Sequence, residues 1–113
     1  MPRYTMVVMT NPKPGQEEEF NHWYTNIHLK EVCEVPGIKS ARRFKHSRGL
    51  PEGAGLDAIK TGTEYLALYE IETNNIDAVL KSLTDSVDKM NMTDSMQMRG
   101  LAEFYEEIAA YPR

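Results

Sequence analysis

Three residues near the start of the chain have the types and spacing for proton transfer. Glu31 follows His28 by three residues, and Tyr24 precedes His28 by four. Residues three or four apart on a helix lie on one face, so the three side chains can meet. An imidazole titrates near neutral pH, a carboxylate can orient or charge it, and a phenol can donate a hydrogen bond to a developing oxyanion. The pattern predicts general acid–base catalysis by His28 with Glu31 and Tyr24.

A structural role for the same residues is the competing interpretation. A histidine at the edge of an apolar helix face is more often a boundary residue than a catalyst, and Glu31 can instead cap the helix or bridge to Lys30 or Arg43. His22 precedes His28 by six residues, about 120° round a helix, so the two cannot share a metal ion. Spacing alone leaves both interpretations open.

The chain lacks the signatures of several other chemistries. It contains no HExxH, no glycine-rich phosphate loop and no GxSxG. Its single cysteine, Cys33, excludes an intrachain disulfide and a cysteine-based zinc site, and is expected to be an inert core residue. We therefore expect either chemistry without metal or cofactor, or ligand binding alone.

The element that carries these residues is predicted to be a helix. It starts after two prolines and a glycine at residues 12–15, and the carboxylates of Glu17–Glu19 favour its positive end. Its apolar positions follow the i, i+3, i+4, i+7 pattern: Phe20, Trp23, Tyr24 and Ile27. At 100° per residue, Trp23 and His28 fall about 60° and about 80° to opposite sides of Phe20, and Glu31 falls about 20° from it. His28 should therefore border the packing seam, with Glu31 buried beside it.

The remaining segments predict the fold. Strands are expected at residues 3–10, 38–46, 64–72 and 101–111, a second helix from Asn74 or Asn75 to Met90, and a long loop at 47–63. The order β-α-β-β-α-β predicts a single α+β domain over residues 1–113, ferredoxin-like, with a four-stranded antiparallel sheet and both helices on one face. Both faces of strand 64–72 are apolar, which predicts a homodimer that covers the open face.

Composition limits the partners. The net charge is −4 and the 13 basic residues are spread out, so we expect no nucleic-acid binding. No run of 18 apolar residues and no signal peptide occur, so we expect no membrane association and a cytoplasmic location. Aromatic residues and methionines predict an apolar pocket for a small molecule. The predicted ligand-binding residues are Trp23, Arg43, Phe44, Tyr65 and Tyr69.

A longer motif resembles a known family. The residues are Asn21-x-Trp23-Tyr24-x-x-x-His28-x-x-Glu31-x-x-x-x-Pro36-Gly37-Ile38-x-Ser40-Ala41-x-Arg43-Phe44. This motif resembles the signature of the EthD-like members of the dimeric α/β-barrel superfamily, and residues 65–71 resemble their third strand. The resemblance implies a ferredoxin-like monomer that pairs with a second copy to form a barrel, with a ligand cavity between sheet and helices. It also implies an acid or base role for His28, although residues 25–27 are not the acidic residues that commonly precede this histidine.

Three functions are considered. The leading hypothesis is a cofactor-independent lyase, isomerase or cyclase that acts on an apolar or aromatic carbonyl compound. The second is a non-catalytic binding or accessory protein, which the methionine-rich residues 90–98 and the loop 47–63 would suit. The third is a cofactor-free monooxygenase. The resemblance implies all three, because relatives include cyclases, decarboxylases, isomerases, oxygenases and accessory proteins.

Overall fold

The chain folds into one antiparallel sheet with helices on one side. The structure is a computed structural model that describes residues 1–59, 61–98 and 100–112. Its elements are β1 (Arg3–Thr10), α1 (Glu17–Trp23), a π-helical segment (Tyr24–His28), α2 (Leu29–Cys33), β2 (Ile38–Lys45), β3 (Tyr65–Glu72), α3 (Ile76–Val87) and β4 (Leu101–Glu106). The strand order is β2-β3-β1-β4, and every neighbouring pair is antiparallel. This confirms the predicted ferredoxin-like arrangement.

Two elements are shorter than predicted. β4 ends at Glu106 rather than Tyr111, because it pairs with β1, and β1 begins at Arg3. Residues 108–112 run past the start of β1, so β1 offers them no further strand partner. The second helix, α3, ends at Val87 rather than Met90, where the chain passes into turns. The loop predicted at 47–63 connects β2 to β3, and its residue 60 lies outside the described residues.

Local signals explain where α3 begins and how it meets the end of α2. The side chain of Asn75 accepts a hydrogen bond from the backbone N–H of Ala78 at 3.1 Å, which is an N-cap, as predicted. Gly37 has a φ of +97°, and a Cβ atom there would lie 2.8 Å from Cγ2 of Val79. The turn into β2 therefore requires glycine.

Among the residues that the structure describes, no helix is long and apolar enough to cross a membrane.

The two faces of the sheet differ in burial. On β3, the side chains that face the helices are buried: Tyr65, Ala67, Tyr69 and Ile71. They pack with Phe20, Trp23 and Tyr24 of the helix in one hydrophobic core. Leu66 and Leu68 alternate with them on the opposite face, which we call the open face, and are only partly buried. The predicted alternation along β3 is confirmed, and the helical layer sets the position of the candidate residues.

Candidate functional site

The helix that begins at Glu17 changes its hydrogen-bonding pattern where the candidate residues lie. It is α-helical to Trp23, π-helical over Tyr24–His28, and α-helical again from Leu29. In a π-helix each N–H bonds to a carbonyl five residues away, so one extra residue enters the turn. Such segments inside α-helices are frequent at functional sites. Residues five apart, such as Trp23 and His28, are thereby brought to one face.

The extra residue explains why Trp23 and His28, predicted to lie on opposite sides of Phe20, are in fact neighbours. Regular α-helical counting places Trp23 and His28 about 140° apart. In the structure the two rings are stacked, with centroids 4.5 Å apart and planes inclined by 20°. Trp23, predicted to bind ligand, is 5% exposed, and its Nε1 donates a hydrogen bond to the backbone oxygen of Asn91 at 2.5 Å. Trp23 therefore belongs to the core and supports one face of the imidazole.

The imidazole of His28 is enclosed on a second side by Tyr24, whose ring lies edge-on at 5.0 Å. Its Nδ1 atom is buried and has no hydrogen-bond partner among the described residues. Burial lowers the pKa of His28 from its usual value, and the nearby carboxylate of Glu31 opposes this by raising it. The imidazole is therefore neutral at pH 7, in the form that accepts a proton.

Glu31 contacts a partner that the sequence did not indicate. Its carboxylate accepts hydrogen bonds from the backbone N–H of Asn91 at 3.1 Å and from Nδ2 of Asn91 at 3.2 Å. Within the described residues it makes no hydrogen bond to His28 or to either basic residue considered above. Asn91 thus joins Glu31 to Trp23 and attaches the helix to the segment after α3. Nothing in the spacing of the sequence marks Asn91 for this role.

The predicted residues Tyr24 and Tyr69 form a buried pair. The hydroxyl of Tyr69 donates to that of Tyr24 at 3.2 Å, and Tyr24 is 2% exposed. Burial raises the pKa of both phenols, and for Tyr24 this effect exceeds the opposing effects of the hydrogen bond from Tyr69 and of the Arg43 charge. Both are neutral at pH 7. The Tyr24 hydroxyl retains its own proton, for which the described residues provide no acceptor.

Arg43 is another neighbour of the Tyr24 ring. It projects from β2 toward the helix, where Nη1 donates to Oγ1 of Thr25 at 2.9 Å and Nη2 donates to Oδ1 of Asn21 at 3.0 Å. Three aromatic rings lie beside its ζ carbon: Tyr24 at 4.5 Å, Tyr65 at 5.4 Å and Phe20 at 5.5 Å. Cation–π attraction and two neutral acceptors therefore fix the direction of the guanidinium.

Two clefts open near Arg43. The first, here called the Arg43 cleft, has a volume of about 460 Å³ and is lined by Asn21, Thr25, Arg43, Phe44, Lys45 and Tyr65. The second, the loop cleft, also measures about 460 Å³ and lies between β2, β3 and the loop that joins them. Three of the predicted ligand-binding residues, Arg43, Phe44 and Tyr65, line the Arg43 cleft. His28, Tyr24, Trp23, Tyr69 and Glu31 line neither cleft.

The side chains of the site offer little to a metal ion. No group of three or more His, Cys, Asp or Glu residues within residues 1–59, 61–98 and 100–112 could hold one. Cys33 is a partly buried free thiol, and burial raises its pKa, which disfavours the reactive thiolate.

Several solved structures share this fold. A crystal structure of an Arabidopsis thaliana protein superimposes with a TM-score of 0.63 at 13% identity, covering 95% of this chain and 97% of that one. A candidate monooxygenase from Shewanella loihica gives a TM-score of 0.60 at 12% identity, covering 97% and 99%. An EthD-like protein from Ralstonia eutropha gives 0.57 at 12% identity, covering 96% and 95%.

Neither a protein-family model nor a curated protein sequence matches the chain. The structural matches extend over almost the full length of each chain, so they concern the whole domain and not a shared fragment. The protein therefore has the same ferredoxin-like fold as these structures, one of which is an EthD-like protein.

Proposed function

We propose that this protein is an EthD-like, cofactor-independent enzyme in which His28 transfers a proton to or from an apolar or aromatic carbonyl compound. The observation that carries the proposal is the buried Nδ1 atom of His28, which has no hydrogen-bond partner among the described residues. Leaving such an atom unpaired costs about 1–3 kcal/mol, so its presence calls for a functional reason. A neutral imidazole beside a phenol is a suitable acid–base unit.

The neighbouring side chains support a defined division of roles. His28 would remove a proton from the carbon next to the carbonyl group and later return it, and the Tyr24 hydroxyl would donate a hydrogen bond to the enolate oxygen. The Glu31 charge would favour the protonated imidazole formed between these steps. Because His28 and Arg43 contact the same buried Tyr24 ring, the Tyr24 side chain would have to move for a ligand in the Arg43 cleft to reach His28.

Replacement of the histidine tests the proposal. With a turned-over substrate identified from a panel of aromatic carbonyl compounds, His28→Ala should lower kcat/KM by about 10²- to 10⁴-fold, the usual value of general acid–base catalysis. His22→Ala, an exposed histidine on the same helix, is the matched control and should retain activity. Turnover near that of the wild type by a folded His28→Ala protein would refute the assignment.

A binding or accessory protein is the second candidate. The observation in its favour is that His28 and Tyr24 line neither of the two clefts, so a ligand in the Arg43 cleft would not touch them directly. Equilibrium dialysis followed by mass spectrometry distinguishes the two candidates. Recovery of unchanged ligand from every bound compound would favour binding alone.

Cofactor-free oxygenation is the third candidate, and it is favoured by the structural similarity to the candidate monooxygenase from Shewanella loihica. Consumption of dissolved oxygen in the presence of an aromatic substrate would support it. Turnover at an equal rate under anaerobic conditions would exclude it for that substrate.

We also propose that the open face pairs with that of a second copy. Apolar side chains on this face are only half buried, namely Val7, Leu66 and Leu68, and Phe44, Leu101 and Tyr105 are exposed. A face of this kind is usually covered by a partner. Light scattering should give twice the mass of one chain, and Leu68→Lys should yield monomers. A monomeric wild-type protein would contradict the proposal.

A further inference from the structure

The guanidinium of Arg43 is half buried, and no carboxylate among the described residues pairs with it. Its two hydrogen-bond partners, Thr25 and Asn21, are neutral. Within the described residues, no ion pair involves Arg43. Burial lowers its pKa, and the groups that oppose this effect are tyrosines and not carboxylates. Arginine nevertheless keeps its charge in proteins, so the cation is held in place by neutral partners among the described residues.

Unused hydrogen-bond donors surround this charge. A guanidinium carries five N–H groups, and two of those of Arg43 are occupied. The Tyr65 hydroxyl accepts a hydrogen bond from Nδ2 of Asn21 at 3.1 Å, and no described residue accepts its own proton. Arg43 and Tyr65 both line the Arg43 cleft. The cleft therefore offers a charged donor and a neutral donor to whatever enters it.

The local charge of the cleft contrasts with that of the whole chain. The protein has a net charge of −4, yet the described residues that line the cleft include two basic ones, Arg43 and Lys45, and no acidic one. Tyr65 supplies an aromatic wall, whereas the Phe44 side chain alternates with that of Arg43 and belongs to the open face. A volume of about 460 Å³ lies within the usual range of small-ligand pockets, roughly 300–1,000 Å³. A planar aromatic ring with one anionic group matches this wall and these donors.

We propose that the Arg43 cleft binds the carboxylate group of an aromatic ligand, with Arg43 on one carboxylate oxygen and the Tyr65 hydroxyl on the other. Two donors on separate side chains suit the two oxygens of a carboxylate. Lys45 adds longer-range attraction. This inference rests on the proposed function, because it names the class of compound that the same site takes.

Equilibrium binding of a matched pair of probes tests the inference. 2-Naphthoate and its neutral analogue 2-naphthamide have nearly the same shape, and their binding can be followed by fluorescence or by NMR shifts. The wild-type protein should bind the carboxylate at least about tenfold more tightly, because a hydrogen bond to a charged group is stronger than one to a neutral amide. Arg43→Met should abolish this preference and leave 2-naphthamide binding within about twofold.

Two further variants make the result specific. Arg42→Met removes an arginine that neighbours Arg43 on β2 but does not line the cleft, so it should keep the preference. Tyr65→Phe should reduce the preference without removing it, and it tests the site even if Arg43→Met fails to fold. Equal binding of the two probes by the wild type, or an undiminished preference in both Arg43→Met and Tyr65→Phe, would overturn the proposal.

The binding experiment separates this inference from the proposed catalysis. It involves no turnover, and His28→Ala should keep the preference for the carboxylate. If the wild-type protein binds the two probes equally but its activity depends on His28, the carboxylate site alone is refuted. Full activity of His28→Ala, together with an intact preference for the carboxylate, would refute the proposed catalysis alone.

Discussion

The two sides of the Tyr24 ring are built differently. On one side, His28 is enclosed by stacking on Trp23, and Trp23 is held by Asn91. On the other side, Arg43 faces a cleft and keeps unused donors. The first side owes its geometry to a helix and to core packing, and the second to a strand and to polar contacts. The proposed proton transfer and the proposed ligand contact thus lie in regions that different elements support.

The largest effect should come from the enclosed side. Trp23→Ala removes a buried indole and should lower the free energy of unfolding by about 3–5 kcal/mol. Arg43→Met, at the Arg43 cleft, keeps most of the apolar contact, so its loss of unfolding free energy should be clearly smaller. Urea denaturation of the two variants measures the difference. Equal losses of unfolding free energy in the two variants would contradict this difference in mechanical support.

A smaller effect is expected at the attachment of the helix to Asn91. Glu31→Gln keeps one acceptor oxygen and should cost about 1 kcal/mol of unfolding free energy. It also removes the charge that raises the pKa of His28, so that pKa should fall further. An NMR titration of the imidazole measures the shift. Glu34→Gln changes an exposed glutamate at the C-cap of α2 and is the matched control. An unchanged His28 pKa in Glu31→Gln would contradict the placement of the charge.

The smallest effect expected is a dependence of stability on pH. The folded state lowers the pKa of His28 below its unfolded value of 6.5, so the unfolded chain binds a proton first as the pH falls. The stabilising contribution of the neutral imidazole is therefore complete above pH 6.5 and is lost as the pH falls through the lowered folded pKa. Chemical denaturation between pH 7.5 and about 5 should show a weaker decline in His28→Gln than in the wild type. Parallel declines would mean that the imidazole is solvated.

The fold was largely predictable because alternation and helical periodicity are strong signals. The pattern of β3 predicted a strand with two apolar faces, and Asn74 or Asn75 was predicted to begin the second helix, which Asn75 does. These features depend on residues close in sequence or on a regular repeat. The inward direction of Arg43 does not follow from alternation along β2, because strict alternation would place Arg43 on the face opposite the buried Ile38. A shift of register between Ile38 and Ser40 brings Arg43 to the same face, and the sequence does not mark that shift.

The surroundings of His28 were not predictable in the same way. Regular counting places Glu31 about 20° from Phe20 and Val32 about 120° from it. The structure instead buries Val32, because the π-helical turn absorbs one residue. Asn91 is 60 residues from Glu31 and contacts it only through tertiary folding. No local signal in the sequence marks either the extra residue or this contact.

The π-helical turn has a consequence for aligning this chain with its structural neighbours. One extra residue between Trp23 and Leu29 is equivalent to a single-residue insertion in an ordinary α-helix. A relative with a regular helix would need a one-position gap here, and an ungapped alignment would set its core residue against Glu31 instead of Val32. Any transfer of roles from a relative onto residues after His28 therefore depends on where that gap is placed.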